Sequence, residues 1–154
     1  MRRCMLIILW IPLLALAQQQ DEDKFYRMVD GLLNHTVEEV GVDEQILPNT
    51  IILDARSTEE YGVSHLKEAR YVGYDDFEIS RVSDVSKDAQ ILVYCSVGYR
   101  SEKVAEKLKK AGFQNVKNLY GGLFDWANHG KEMVDSLGNP TKQVHGFNKN
   151  WGKW

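Results

Sequence analysis

Residues 89–113 read AQILVYCSVGYRSEKVAEKLKKAGF and have the pattern of a strand, a short loop and a helix, in that order. The first part, AQILVYC, is continuous and apolar, as strands of a parallel sheet that are buried on both faces tend to be. From Ser101 onward, apolar residues recur at the spacing of one helical face, and Gly112 is a natural helix stop. This order predicts an α/β fold with Cys95 at the carboxyl end of a central strand.

Other strands and helices alternate on both sides of this stretch. The predicted strands are 49–56, 68–74 and 115–122, and the predicted helices are 23–35 and 122–130. A capping box formed by Ser57 and Glu60 marks the start of one more helix directly after the first strand. We therefore expect a three-layer α/β fold, in which a central parallel sheet is flanked by helices.

Length and composition limit the chain to one globular domain. It has 154 residues, of which 44% are hydrophobic and 27% are charged. This is enough apolar material for one α/β core and leaves no room for two ordinary domains.

The N-terminus has the pattern of a signal peptide. Two arginines precede an apolar run that ends in the small-residue motif Ala15-Leu16-Ala17. The run is shorter than the ~20 residues that a membrane-crossing helix needs, so we favour cleavage over an uncleaved anchor and expect no stable membrane insertion. The sequence predicts a signal peptide at 1–17, cleavage after Ala17, and export to the periplasm or out of the cell.

Charge and cysteine content narrow the function further. The formal charge of −3 becomes more negative once Arg2 and Arg3 are removed, which disfavours nucleic acid or an anionic membrane surface as the main partner. Of the two cysteines, Cys4 would leave with the signal peptide, so Cys95 would be alone where cysteines normally pair. An unpaired exported cysteine indicates a reactive thiol or an intermolecular bond.

The residues around Cys95 favour the reactive thiol. A loop that closes onto a helix N-terminus stabilises a thiolate through unpaired backbone N–H groups and the positive end of the helix dipole. Gly98 permits a backbone turn that other residues disfavour, and Arg100 supplies a positive charge suited to an anionic group on a substrate. The alternative is a buried cysteine that merely ends a strand. It is disfavoured because the strand end, the glycine, the arginine and the missing disulfide partner all agree.

Two segments, 52–69 and 91–130, resemble the single-domain rhodaneses, a family of sulfurtransferases. The shared motifs occur in order: the Asp54-Ala55-Arg56 strand end, Glu60-Tyr61, His65, the cysteine loop, and the Leu-Tyr-Gly-Gly…Trp close. The resemblance implies a rhodanese-like domain at 36–130, with a leader and helix at 18–35 before it and an aromatic and basic extension at 131–154 after it.

The resemblance also implies a chemistry. Cys95 would take a sulfane sulfur from thiosulfate or a persulfide donor, hold it as a persulfide, and pass it to a thiol or cyanide. Its substrate-binding loop would comprise Ser96, Val97, Gly98, Tyr99, Arg100 and Ser101, with the helix beginning at Ser101. The sequence departs from the family at two places: the family commonly has glycine at the position of Ser64 and a glycine-alanine pair at Glu68-Ala69. These differences concern the local geometry of a turn away from the cysteine loop rather than the chemistry. Because the loop offers only Arg100 as a cation, beside the bulky Tyr99, a donor larger than thiosulfate is an option.

Other polar residues are assigned structural roles. Asp54 and Arg56 are expected to support the site through hydrogen bonds and ion pairs, and His65 is expected to be a structural hydrogen-bonding residue. The four histidines show no metal-ligand spacing, so neither a metal nor a cofactor is predicted. The expected partners are a small sulfur donor and a thiol acceptor.

Two other functions remain as alternatives. Cysteine phosphatases of similar fold place five residues between cysteine and arginine, whereas four separate Cys95 from Arg100 here, and a tetrahedral phosphate needs the wider loop. A non-enzymatic rhodanese-like binding module would typically lack the cysteine.

In the C-terminal extension, Phe147, Trp151 and Trp154 are predicted to fold back over the domain, with a partner-binding aromatic surface as the alternative.

Overall fold

The central sheet has five parallel strands in the order β1-β5-β4-β2-β3, in a computed structural model that describes residues 10–154. The strands of this sheet are β1 (Glu38–Val40), β2 (Ile51–Asp54), β3 (Arg70–Tyr71), β4 (Gln90–Tyr94) and β5 (Asn115–Leu119). A separate antiparallel hairpin is formed by β6 (Met133–Val134) and β7 (Pro140–Thr141). The predicted α/β fold with a central parallel sheet is confirmed.

The middle strand β4 is covered on both faces, as its continuous apolar sequence predicts. Ile91 and Val93 belong to the core cluster on one face of the sheet, and Leu92 and Tyr94 belong to the cluster on the other. Alternate side chains of a strand point to opposite faces of the sheet. A strand that is covered on both faces therefore needs apolar residues at successive positions. The end of β4 is therefore a rigid place from which to extend a loop.

Among the described residues, four α-helices accompany the sheet: α1 (Trp10–Leu32), α2 (Thr58–Val63), α3 (Tyr99–Lys110) and α4 (Gly122–Asn128). The predicted capping box at the start of α2 is present, because Ser57 and Glu60 exchange their side-chain to backbone hydrogen bonds. The predicted start of α3 at Ser101 is wrong by two residues. The helix begins at Tyr99, directly after Gly98, whose φ of 107° turns the chain into the helix.

Short strands account for the other differences from the sequence prediction. The strand expected at 68–74 is reduced to the two residues of β3, and β1 was not predicted. The sequence of β1 is Glu38-Glu39-Val40, which lacks the apolar run of a buried strand. It forms the edge of the sheet beside β5, where Glu38 pairs with Lys117.

Helix α1 extends the predicted helix towards the N-terminus. Phe25, Val29 and Leu33 are buried, as the predicted helical face requires. The helix continues through Ala17, whereas the basic head and the first part of the apolar run of the predicted signal peptide lie outside the described residues. None of the described helices has both the length and the apolar character of a membrane span.

The C-terminal extension packs onto α1. Trp151 and Trp154 contact a cluster that contains Phe25 of α1 and Val97 of the cysteine loop, and the Trp154 and Phe25 rings lie 6.0 Å apart. The prediction that the tail folds back is confirmed for these two tryptophans. Phe147 differs, because 52% of its surface is exposed.

Candidate active site

Cys95 lies immediately after β4 and is almost completely buried, with 1% of its surface exposed. Its Sγ accepts a hydrogen bond from the backbone N–H of Gly98 at 3.1 Å. The thiol has no disulfide partner among residues 10–154. The loop from Cys95 to Gly98 therefore curls back so that a backbone donor near the start of α3 meets the sulfur atom, an arrangement that favours a negatively charged sulfur.

The carbonyl group of Gly98 holds this turn in place. It accepts hydrogen bonds from Asn118 Nδ2 at 3.1 Å, from Ser101 Oγ at 3.0 Å and from the backbone N–H of Glu102 at 3.0 Å. Ser101 was predicted as part of the substrate-binding loop, but it is fully buried in the first turn of α3. The hydrogen bond from Ser101 Oγ to the Gly98 carbonyl oxygen therefore supports the loop from the side of α3. Asn118, on β5, was not singled out from the sequence.

Helix α4 supports the other half of the loop. The backbone N–H groups of Leu123 and Phe124 donate to the carbonyl oxygens of Cys95 and Ser96, at 2.8 Å and 3.0 Å. A trans peptide places its N–H opposite its C=O, so the N–H groups of Ser96 and Val97 point away from α4. Gly122 makes this contact possible. A Cβ atom there would lie 2.5 Å from the Cys95 carbonyl oxygen.

Arg100 is held by a buried carboxylate. Its Nη1 and Nη2 donate to the two oxygens of Glu60, both at 2.7 Å, and Nη2 also donates to Ser96 Oγ at 2.9 Å. Ser96 in turn donates to Glu60 Oε1 at 2.8 Å. Arg100 was expected to supply a positive charge for an anionic group of the substrate, and the structure shows that this charge is paired with Glu60. The physical reason is that two charges in a poorly solvated site are stable only when they are paired.

Both members of this pair stay ionised. Burial is the largest influence on Glu60 and favours its protonated form, but Arg100, Ser57 and Ser96 together outweigh it and lower the pKa of Glu60 to about 2. Burial likewise opposes the charge on Arg100, yet the hydrogen bonds and charge of Glu60, together with the nearby Cys95 sulfur, raise the pKa of the guanidinium.

Glu60 was predicted to cap a helix and belongs to a motif shared with the rhodaneses, but no role in the site was predicted for it. One of its oxygens does complete the capping box, by accepting from the backbone N–H of Ser57 at 3.1 Å. Its second role, the ion pair with Arg100, could have been inferred from its place in the fold. Glu60 lies on α2, which follows β2, and the parallel strands β2 and β4 end at the same edge of the sheet.

A cavity of about 280 Å³ opens beside Cys95. Tyr99 and Phe147, with 41% and 52% of their surfaces exposed, lie where it meets solvent. Four of the predicted loop residues share this lining, together with residues of α1 and the C-terminal extension that no sequence motif connects to the site. The cavity is lined by Leu32, Cys95, Ser96, Val97, Tyr99, Arg100, Phe147 and Trp151.

Asp54 and Arg56 lie away from this cavity. Arg56 Nη2 donates to Asp54 Oδ2 at 2.6 Å and to the Ser64 carbonyl oxygen at 2.5 Å, and Tyr94 Oη donates to Asp54 Oδ2 at 2.5 Å. The pair joins the ends of β2 and β4 to the segment after α2. His65 Nδ1 lies 3.0 Å from the Tyr61 carbonyl oxygen. Within residues 10–154, no group of three or more His, Cys, Asp or Glu side chains could hold a metal ion.

Comparisons with known proteins agree with this architecture. The BH2092 protein from Bacillus halodurans shares the fold, with a TM-score of 0.63 and 21% identity over 87% of this chain and 98% of that chain. The rhodanese-like domain of the Alr3790 protein from Anabaena has a TM-score of 0.55 and 27% identity, over 64% of this chain and 74% of that chain.

Among curated proteins, the tRNA uridine(34) hydroxylase of Photorhabdus laumondii is 32% identical over 91 residues, which are 56% of this chain and 26% of that protein. The chain thus matches about a quarter of the length of this relative. The family model for the rhodanese-like domain matches residues 41–129 and includes the Cys95 loop, Glu60 and Gly122. Because that match spans more than half of the sequence, the chain belongs to the rhodanese-like domain family.

Proposed function

We propose that this protein is a sulfurtransferase in which Cys95 carries a sulfane sulfur from a thiosulfate or persulfide donor to a thiol or cyanide acceptor. The observation that carries the proposal is the position of Cys95 Sγ, which accepts from the Gly98 N–H and borders a cavity large enough for a small donor. The backbone donor stabilises the thiolate, which is the attacking form of cysteine.

The transfer requires no oxidant or external base. The Cys95 thiolate attacks the outer sulfur of thiosulfate, the S–S bond of the donor breaks, and the electron pair leaves with sulfite. Cys95 is left as a persulfide, Cys–S–S⁻. An acceptor thiolate or cyanide then attacks the outer sulfur of this persulfide, and the electron pair returns to Cys95 as thiolate. Donor and acceptor use the same cavity in turn.

The phosphatase alternative is weaker. Arg100 would have to bind a phosphate, but both of its terminal nitrogens already donate to Glu60.

The tRNA hydroxylation named for the curated relatives is not part of our proposal, because the match covers 26% of that protein and the chain has a formal charge of −3. A non-enzymatic binding module remains as the second candidate. A measurement of sulfur-transfer turnover distinguishes it from an enzyme.

The chain offers a matched pair of variants to test the proposal. Incubation with thiosulfate or a hydropersulfide should add one sulfur atom to the protein, and a reductant should remove it. We expect Cys95→Ser to abolish both this mass increase and turnover with cyanide or dithiothreitol, while Cys4→Ser changes neither. Retention of a mass increase and turnover by Cys95→Ser would overturn the assignment of the carrier. Turnover absent from the wild type with every donor would favour the binding module.

We also propose that the protein is exported with residues 1–17 removed. The proposal is supported by the basic head, the short apolar run and the small residues at Ala15 and Ala17. N-terminal sequencing of the protein from its native host is expected to begin at Gln18, or at its cyclised form. A chain that retains Met1 in a membrane fraction would contradict the proposal.

A further inference from the structure

The walls of the Cys95 cavity are mostly hydrocarbon and aromatic. Leu32 comes from α1, Val97 from the loop, and Phe147 and Trp151 from the C-terminal extension. Ser96 also lines the cavity, but its Oγ is already hydrogen-bonded to Glu60 and Arg100. The side chains of the cavity therefore present little that is polar and free to bind a substrate, and the remaining polar partners beside the sulfur are the backbone N–H groups of the loop.

The charge of the cavity is compensated within residues 10–154. Arg100 is the one charged residue that lines it, and its guanidinium makes two 2.7 Å hydrogen bonds to the carboxylate of Glu60. The side of the guanidinium towards the extension is covered by an aromatic ring, because Arg100 Cζ lies 5.2 Å from the centre of the Phe147 ring. In the part of the chain that the structure describes, no uncompensated cation lines the cavity beside the thiol.

The apolar walls and the paired Arg100 are unfavourable for an oxyanion donor, which would have only the backbone N–H groups of the loop as partners. Thiosulfate carries two negative charges, which would lose hydration in the cavity and would approach the thiolate without a free cation between them. A hydrocarbon group gains free energy when it leaves water for the same cavity. An apolar site also favours the neutral form of a hydropersulfide, R–S–S–H, which is the form whose outer sulfur accepts electrons.

We propose that the cavity selects neutral hydropersulfides with an apolar organic substituent over thiosulfate, and that Phe147 and Trp151 are the residues that determine this specificity. The inference rests on the proposed sulfurtransferase function and names its substrate class. Both aromatic residues lie beyond the region of the family match, residues 41–129, so the preference would come from this chain's own extension.

The reaction with such a donor is balanced without an added reactant. The Cys95 thiolate attacks the outer sulfur of R–S–S–H, a new S–S bond forms, and the S–S bond of the donor breaks. The electron pair leaves with R–S⁻, while the proton stays on the transferred sulfur as Cys–S–S–H. The substituent R occupies the space between Leu32, Phe147 and Trp151, from which the thiolate product departs.

The test compares three donors on the full chain: benzyl hydropersulfide, glutathione hydropersulfide and thiosulfate. The first two share the reacting group and differ in the polarity of the substituent. The measured quantity is kcat/KM for sulfur loading of Cys95, and the loading is monitored by the increase in protein mass. We expect benzyl hydropersulfide to be preferred over both other donors, by at least roughly tenfold over thiosulfate, because its substituent is the one that gains from burial.

A charge variant tests the role of the extension without disrupting the core. Phe147 is half-exposed, so Phe147→Lys places a free cation at the mouth of the cavity. We expect this variant to lower the preference for benzyl hydropersulfide over thiosulfate by roughly tenfold at low salt, with less effect at high salt. Leu137→Lys is the matched control, because Leu137 is 84% exposed, does not line the cavity and receives the same added charge.

The outcomes separate this inference from the proposed function. Loading of Cys95 that favours thiosulfate, or equal ratios in wild type, Phe147→Lys and Leu137→Lys, would overturn the apolar specificity and leave the sulfurtransferase function standing. Absence of Cys95 loading by all three donors would overturn the function and the inference together. A preference that falls in Phe147→Lys and not in Leu137→Lys would support the inference.

Discussion

The Asp54–Arg56 pair and the Glu60–Arg100 pair have the same chemistry in different surroundings. Arg56 Nη2 lies 2.6 Å from Asp54 Oδ2, and the two terminal nitrogens of Arg100 lie 2.7 Å from the Glu60 oxygens. The side chains of the first pair are both completely buried. In the second pair, 18% of the Arg100 side chain remains exposed, and this residue lines the Cys95 cavity.

This difference separates structural support from control of the site. A completely buried pair joins chain segments, and loss of one partner leaves a charge with neither water nor a counterion. A pair at the edge of a cavity sets the charge that a substrate meets. Glu60 cancels the field of Arg100 while holding the guanidinium in a fixed orientation.

Replacement of Arg56 should have the largest effect on stability. Arg56→Met leaves Asp54 buried without its counterion, so we expect the free energy of unfolding to fall by about 3–5 kcal/mol. Arg70→Met is the control, because Arg70 donates two hydrogen bonds to the carboxylate of Asp84 at the surface, where loss of a pair costs about 0–1 kcal/mol. Urea unfolding measures both values. Equal losses in the two variants would contradict the distinction between buried and exposed pairs.

Release of Arg100 from Glu60 should change specificity. In Glu60→Gln the guanidinium keeps its charge without compensation, so we expect kcat/KM for thiosulfate to rise roughly tenfold at low salt. The loss of a charged partner should also reduce the free energy of unfolding by about 1–3 kcal/mol. Glu59→Gln removes the same charge from an exposed neighbour and serves as control. An equal rise in both variants would show that net charge, and not the pair, governs thiosulfate use.

The Glu60–Arg100 pair should also give stability a narrow pH dependence. The folded-state pKa of Glu60 is about 2, below its ordinary value of 4.5. Ionised Glu60 therefore contributes stability that is fully present above pH 4.5 and is lost as the pH falls towards 2. The difference in free energy of unfolding between wild type and Glu60→Gln should shrink across this window. A constant difference from neutral pH down to pH 2 would contradict the prediction.

Local patterns predicted the scaffold well. The continuous apolar run at 89–95 corresponds to β4, and the Ser57 and Glu60 capping box starts α2, since both depend on residues close together in the chain. The edge strand β1 was missed because its charged sequence forms a strand only through its pairing with β5. The α3 start was misplaced because the turn at Gly98 depends on Asn118, which lies 20 residues away.

The α/β order, the rhodanese-like motifs and the position of Cys95 between a buried strand and a helix could be predicted from the amino-acid sequence, because periodicity, capping and turn chemistry act over a few residues. The charge and the walls of the site come from tertiary contacts. Glu60 reaches Arg100 across 40 residues, and the extension brings Phe147 and Trp151 to the thiol. Such contacts depend on how the sheet and helices place distant segments together, and no local pattern specifies that placement.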